Sequence, residues 1–90
     1  MSTSLHLKDP NDIVDYQINW ATWLGSDTIA TSTWTVPTGL TQVSETETTT
    51  TATIWLSGGT AGELYTVSNR ITTAGGRTAD QSLQIRVGEL

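Results

Sequence analysis

The sequence predicts an all-β domain, an immunoglobulin-like antiparallel β-sandwich of about six to seven strands. Three observations carry that prediction. Residues 48–86 hold three consecutive segments in which apolar and polar side chains alternate with the period of two that an extended strand imposes. Gly75 and Gly76 stand between the last two segments, where a tight hairpin demands positive φ. Tyr65 follows the glycine-rich link Gly58-Gly59-Thr60-Ala61-Gly62. Immunoglobulin-like domains turn a corner at such a place, with a tyrosine hydroxyl bonded back to the loop.

Taken in order, residues 1–12 read as an N-terminal leader and residues 13–90 as a single sandwich domain. The leader is polar, with Leu5 and Leu7 alternating around His6, and Pro10-Asn11 interrupt any regular structure. Either it is a frayed end or it adds as a strand to a neighbour's sheet edge. His6 is the sole histidine in a chain without cysteine, whereas a zinc site needs three or four donors. Asp9, Asp12 and Asp15 lack the alternating donors, bend glycine and closing Glu of a calcium loop, and read as a solvated acidic edge.

Residues 13–24 fit two templates. Ile13, Tyr16, Trp20, Trp23 and Leu24 make a helical stripe, but that leaves Val14 and Ile18 on a face of their own. Val14, Tyr16, Ile18 and Trp20 alternate strictly with polar residues, and the residue types are β-branched and aromatic, so a strand over 14–20 is the better fit. A short turn over 21–24 then lets Trp23 and Leu24 plug one end of the core. After a turn at residues 25–27, residues 28–36 read as a strand. Strict alternation places Ile29 and Trp34 on opposite faces, and a bulge brings both inward. A short edge strand is expected over 41–43 and a Thr-rich acidic loop over 44–50. Ala52, Ile54 and Leu56 then share one strand face, Tyr65, Val67, Asn69 and Ile71 a second, and Leu83, Ile85 and Val87 a third.

Four Trp in 90 residues is a large indole content, and Trp20 and Trp34 are assigned to the core. Trp55, out of phase with Ile54, is exposed or covered by a partner. Arg70 and Arg86 share the polar face of the last hairpin near Asp80. They read as a cross-strand charge pair or, alternatively, as a contact for an acidic neighbour. Leu5, Leu7, Trp55, Arg70 and Arg86 are therefore the candidate protein-interface residues.

Composition narrows the function classes. The formal net charge is −5, with four Lys and Arg against nine carboxylates, which disfavours a nucleic-acid footprint. With no Cys there is neither a disulfide framework nor a thiolate metal site. No apolar run approaches the roughly 20 residues of a membrane span. The first residues lack the basic and apolar regions of a secretory signal, so synthesis in the cytoplasm is expected. Nothing assembles a nucleophile with a base and an orienter, or two carboxylates across a cleft, and no Gly-rich piece has a phosphate-loop pattern. The chain is therefore expected not to be an enzyme and to bind no cofactor.

The stretches Asp15-Tyr16 with Trp20, Thr28-Ile29 with Trp34, and Trp55-Leu56-Ser57-Gly58-Gly59-Thr60-Ala61-Gly62 followed by Tyr65, Asn69-Arg70 and Gly75-Gly76-Arg77 carry a family resemblance. Over residues 8–87 the chain resembles small immunoglobulin-like structural proteins of tailed bacteriophages, of the fiber–tail adaptor type. The link before Thr28-Ile29, only Gly25-Ser26-Asp27 here, is shorter than in other members. The resemblance implies a virion structural protein without catalytic residues. Its partners would be fiber, tail, neck or capsid subunits, and it would be present as a homo-oligomer or in many copies. A capsid decoration protein on the head lattice is the alternative within that class. A carbohydrate-binding module for host attachment, stacking sugars on Trp55 or Trp23, is the alternative outside it.

Overall fold

The computed structural model describes residues 4–88. In chain order it comprises β1 (Ser4–Lys8), β2 (Val14–Asn19), the helical turn α1 (Ala21–Leu24), β3 (Ile29–Thr35), β4 (Leu40–Glu47), β5 (Thr51–Gly58), β6 (Leu64–Thr73) and β7 (Thr78–Val87). The strands form two sheets, ordered β1-β7-β6-β3 and β2-β5-β4. Second, fifth and fourth strands face third, sixth and seventh, which is the partition of an immunoglobulin sandwich. The first strand lies on β7 and runs parallel to it, while every other pair is antiparallel.

The alternation predicted for β2, β5, β6 and β7 is the inner surface of the sandwich. Tyr16, Ile18, Ala52, Ile54, Leu56, Val67, Ile71, Leu83, Ile85 and Val87 are all buried there. β3 breaks strict alternation: its register against β6 shifts between Ile29 and Thr31, and both Ile29 and Trp34 end up buried. The expected bulge is therefore present, and it feeds a second apolar side chain into the core.

One indole and one amide join the sheets. The Trp20 Nε1–H donates to Asn69 Oδ1 at 3.0 Å, and Asn69 Nδ2 donates to Ser32 Oγ at 2.8 Å and to the Thr33 carbonyl at 3.2 Å. Asn69 is fully buried, so these bonds offset the desolvation that an amide in a core otherwise costs. Its one carbonyl oxygen serves Trp20, and the buried Trp34 Nε1 has no acceptor among the described residues.

The tyrosine corner forms as expected. The Thr60 N–H donates to Tyr65 Oη at 3.0 Å. Gly39, at φ +109°, lies against the same ring, and a Cβ there would stand 2.8 Å from Tyr65 Cε1. Only glycine satisfies both the dihedral and the approach.

Two expectations are corrected. Residues 4–8 are neither frayed nor extended to a neighbour. They register against their own β7 from Ser4↔Leu83 to Lys8↔Val87, and the Lys8 side chain, fully buried, donates to the carbonyls of Gly58 at 2.7 Å and Asp9 at 2.9 Å. A lone Lys in a polar leader reads as solvated, yet here it fastens the strand across the sandwich. Residues 44–47, expected in a loop, extend β4 to eight residues. All of β4 after Leu40 is exposed, and its register shifts between Gln42 and Ser44. An edge strand that is wet on both faces has the composition of a loop, and its charges discourage pairing with other chains.

Candidate protein interface

Two outer surfaces flank the core. On the four-stranded sheet, the register aligns Leu7, Arg86 and Leu64 in one row across β1, β7 and β6, with Leu5 and Gln84 in the next row. Leu5 and Leu7 are each 61% exposed and Leu64 is 52% exposed. Arg86 is exposed between them and makes no ion pair among the described residues.

Further along the same face, Arg70 is committed within the chain. Its Nε and Nη2 grip Asp80 Oδ1 and Oδ2 at 2.7 and 3.0 Å. This bidentate bond raises the Arg70 pKa and lowers that of Asp80. Arg70 and Asp80 line a shallow, open groove with Thr33, Thr35, Ser68 and Ser82, and the two serine hydroxyls bond each other at 2.9 Å. The lining is polar and holds no aromatic ring on which a sugar would stack.

Trp55 lies on the opposite surface, 38% exposed, between Asp15 on β2 and Ser44 on β4. The candidate residues thus divide. Leu5, Leu7 and Arg86 are brought together, Arg70 shares their sheet but pairs with Asp80, and Trp55 faces the other way. No Lys or Arg stands on β2, β4 or β5, which carry Asp15, Glu45 and Glu47.

Leu64 belongs to the apolar corner and was not among the predicted residues. The glycine-rich link before it disguises a strand start, but its alternation with Thr66 and Ser68 is a usable signal.

The two ends of the sandwich hold these surfaces in place. At one end Asp27 gathers the α1–β3 turn and the β6–β7 hairpin. Its Oδ1 accepts from the Thr28 N–H at 2.9 Å and the Gly75 N–H at 3.0 Å, and its Oδ2 from Arg77 Nε at 3.1 Å. Arg77 also donates to the Leu24 carbonyl at 2.9 Å and lies over the Trp23 ring at 4.3 Å. The Thr73 hydroxyl, the two backbone N–H groups and Arg77 together pull the Asp27 pKa down to about 2. At the other end burial lowers the Lys8 pKa, partly offset by the Asp12 and Asp9 carboxylates. Nearby, burial raises the Tyr16 pKa, with Asp12 and Asp15 acting in the same sense, and His6 meets the Tyr16 ring edge-on at 5.2 Å.

Among the described residues no group of His, Cys, Asp and Glu could hold a metal ion, and no helix is long and apolar enough to cross a membrane.

Two facing, largely antiparallel sheets with the immunoglobulin strand partition and a tyrosine corner define the class as small immunoglobulin-like β modules. Within that class, the family model described as the podophage GP4 fiber-tail adaptor protein gp77 matches residues 8–86. The chain belongs to that family of phage structural adaptors. No curated protein matches it significantly.

Proposed function

We propose that this chain is a virion adaptor that joins fiber or tail components to the particle through protein–protein contacts, in several copies, after synthesis in the host cytoplasm. The observation that carries this reading is the family match across residues 8–86. The structure supports it with an apolar corner of Leu5, Leu7 and Leu64 around Arg86, a surface suited to being covered by another protein. Recognition proceeds by apolar contact with Arg86 and, on the far side, Trp55 as anchors, since Arg and Trp carry much of the binding energy in protein interfaces. The test is a cryo-EM reconstruction of the intact particle with the chain assigned in density. A ring of copies where fiber meets tail supports the reading. A lattice of copies over the head would instead make it a decoration protein, and absence from the particle would end both.

A further inference from the structure

The two outer faces differ in their charges and in their exposed apolar side chains. One has leucines around an arginine unpaired among the described residues, the other an indole among carboxylates. Leu7 and Leu64 flank Arg86 one strand away on either side. They are therefore roughly 10 Å apart, with the aliphatic stem of the arginine between them. On the opposite face the exposed Trp55 is the direct cross-strand neighbour of the exposed Asp15, on a sheet whose strands hold carboxylates and no cation. Either face laid on its own copy would gain no opposite charge for Arg86 or for Asp15. Among the described residues their like-face company is the neutral Arg70–Asp80 pair on one side and further carboxylates on the other, and unmatched or like charges across a contact oppose it. Laid on the other face, the indole seats between the two leucines. The guanidinium then meets both the π-face of Trp55 and the Asp15 carboxylate, combining a cation–π contact with a charge-assisted hydrogen bond.

We propose that these faces are the two halves of one head-to-tail contact: the Leu7–Arg86–Leu64 row of one copy docks on the Asp15–Trp55 pair of a second copy of this chain. This rests on the multi-copy adaptor reading and names its partner. A heterologous contact of this kind leaves one unused half at each end and so repeats, closing into a ring if the rotation per copy allows.

The test is sedimentation velocity of the full chain across a concentration series, with charge-reversed variants whose circular dichroism and melting match the wild type. Both substituted side chains are exposed, so folding is expected to survive. The wild-type chain self-associates. Arg86→Glu and Asp15→Arg each weaken association by about tenfold or more. The double variant, or an equimolar mixture of the two single variants, recovers it, because the reversed charges again face each other. A wild-type chain that stays monomeric at every concentration overturns the proposal. So does loss in Arg86→Glu with no effect of Asp15→Arg, which would mean that the cationic face pairs with something other than the acidic one. If the chain remains monomeric yet is found in the particle where fiber meets tail, the self-contact alone is lost and the adaptor function stands.

Discussion

The two ends of the sandwich are fastened by different physics. The end at Asp27 is held at the surface by a carboxylate that collects four donors or neighbours from three segments: Thr28, Thr73, Gly75 and Arg77. The end at Tyr65 is held by a buried ammonium on two carbonyls, a half-buried tyrosine whose phenol accepts from a backbone N–H, and glycines pressed against side chains. One fastening is a surface carboxylate that titrates at acid pH. The other is built on a buried side chain and close packing, and loses stability when atoms are removed. A small domain with no disulfide uses both, and they should respond to different perturbations.

The largest effect is expected at the buried end. Lys8→Ala removes a side chain that is 0% exposed and strands the Gly58 carbonyl, and should cost about 3 kcal/mol in urea unfolding. Lys8→Met keeps the stem and should recover part of that. If both variants unfold like the wild type, the contrast between the ends is wrong.

Next comes Tyr65→Phe. It deletes the bond from the Thr60 N–H while leaving the ring against Gly39, and about 1 kcal/mol should be lost.

The surface end should show itself through pH. The Asp27 pKa in the folded chain, about 2, lies below the ordinary 3.8. Its contribution is therefore complete above about pH 4 and lost as the pH falls from there toward 2. Asp27→Asn should flatten that part of a plot of melting temperature against pH. Some slope will remain, because Asp80 is also held below its ordinary value by Arg70. An unchanged acid limb would remove Asp27 from the account.

The smallest effect is expected for Arg70→Ala. The side chains of Arg70 and Asp80 are 67% and 53% exposed, so solvent screens the pair and the melting temperature at neutral pH should not move measurably.

The core was legible because burial on one side of a strand writes a period of two into the sequence, and β2, β5, β6 and β7 are all central or one-side buried. The β3 bulge could be anticipated because Ile29 and Trp34 cannot both be inside without one. β4 was legible only over residues 41–43 and β1 only as a candidate strand without its true partner, for opposite reasons. The edge position of β4 removes the apolar rhythm, whereas the inward points of β1 are His6, half-buried against the Tyr16 ring, and Lys8, a polar residue that is buried where Gly58 and Asp9 offer it carbonyls. Of the site, Leu5, Leu7 and Arg86 could be placed on outward positions from alternation alone. Their convergence with Leu64 required the register of β1 on β7. The Asp27–Arg77 link joins residues 50 apart in sequence and left no local trace.

The parallel course of β1 beside β7 has a mechanical consequence. The chain enters that pair at Ser4 and leaves it at Val87, at opposite ends of five matched positions. Tension arriving through the polypeptide on either side would slide the two strands along each other and strain all their bonds together, instead of peeling them one by one. A fold stressed in that geometry resists being drawn out, a useful property in any module that couples one moving part of a machine to another.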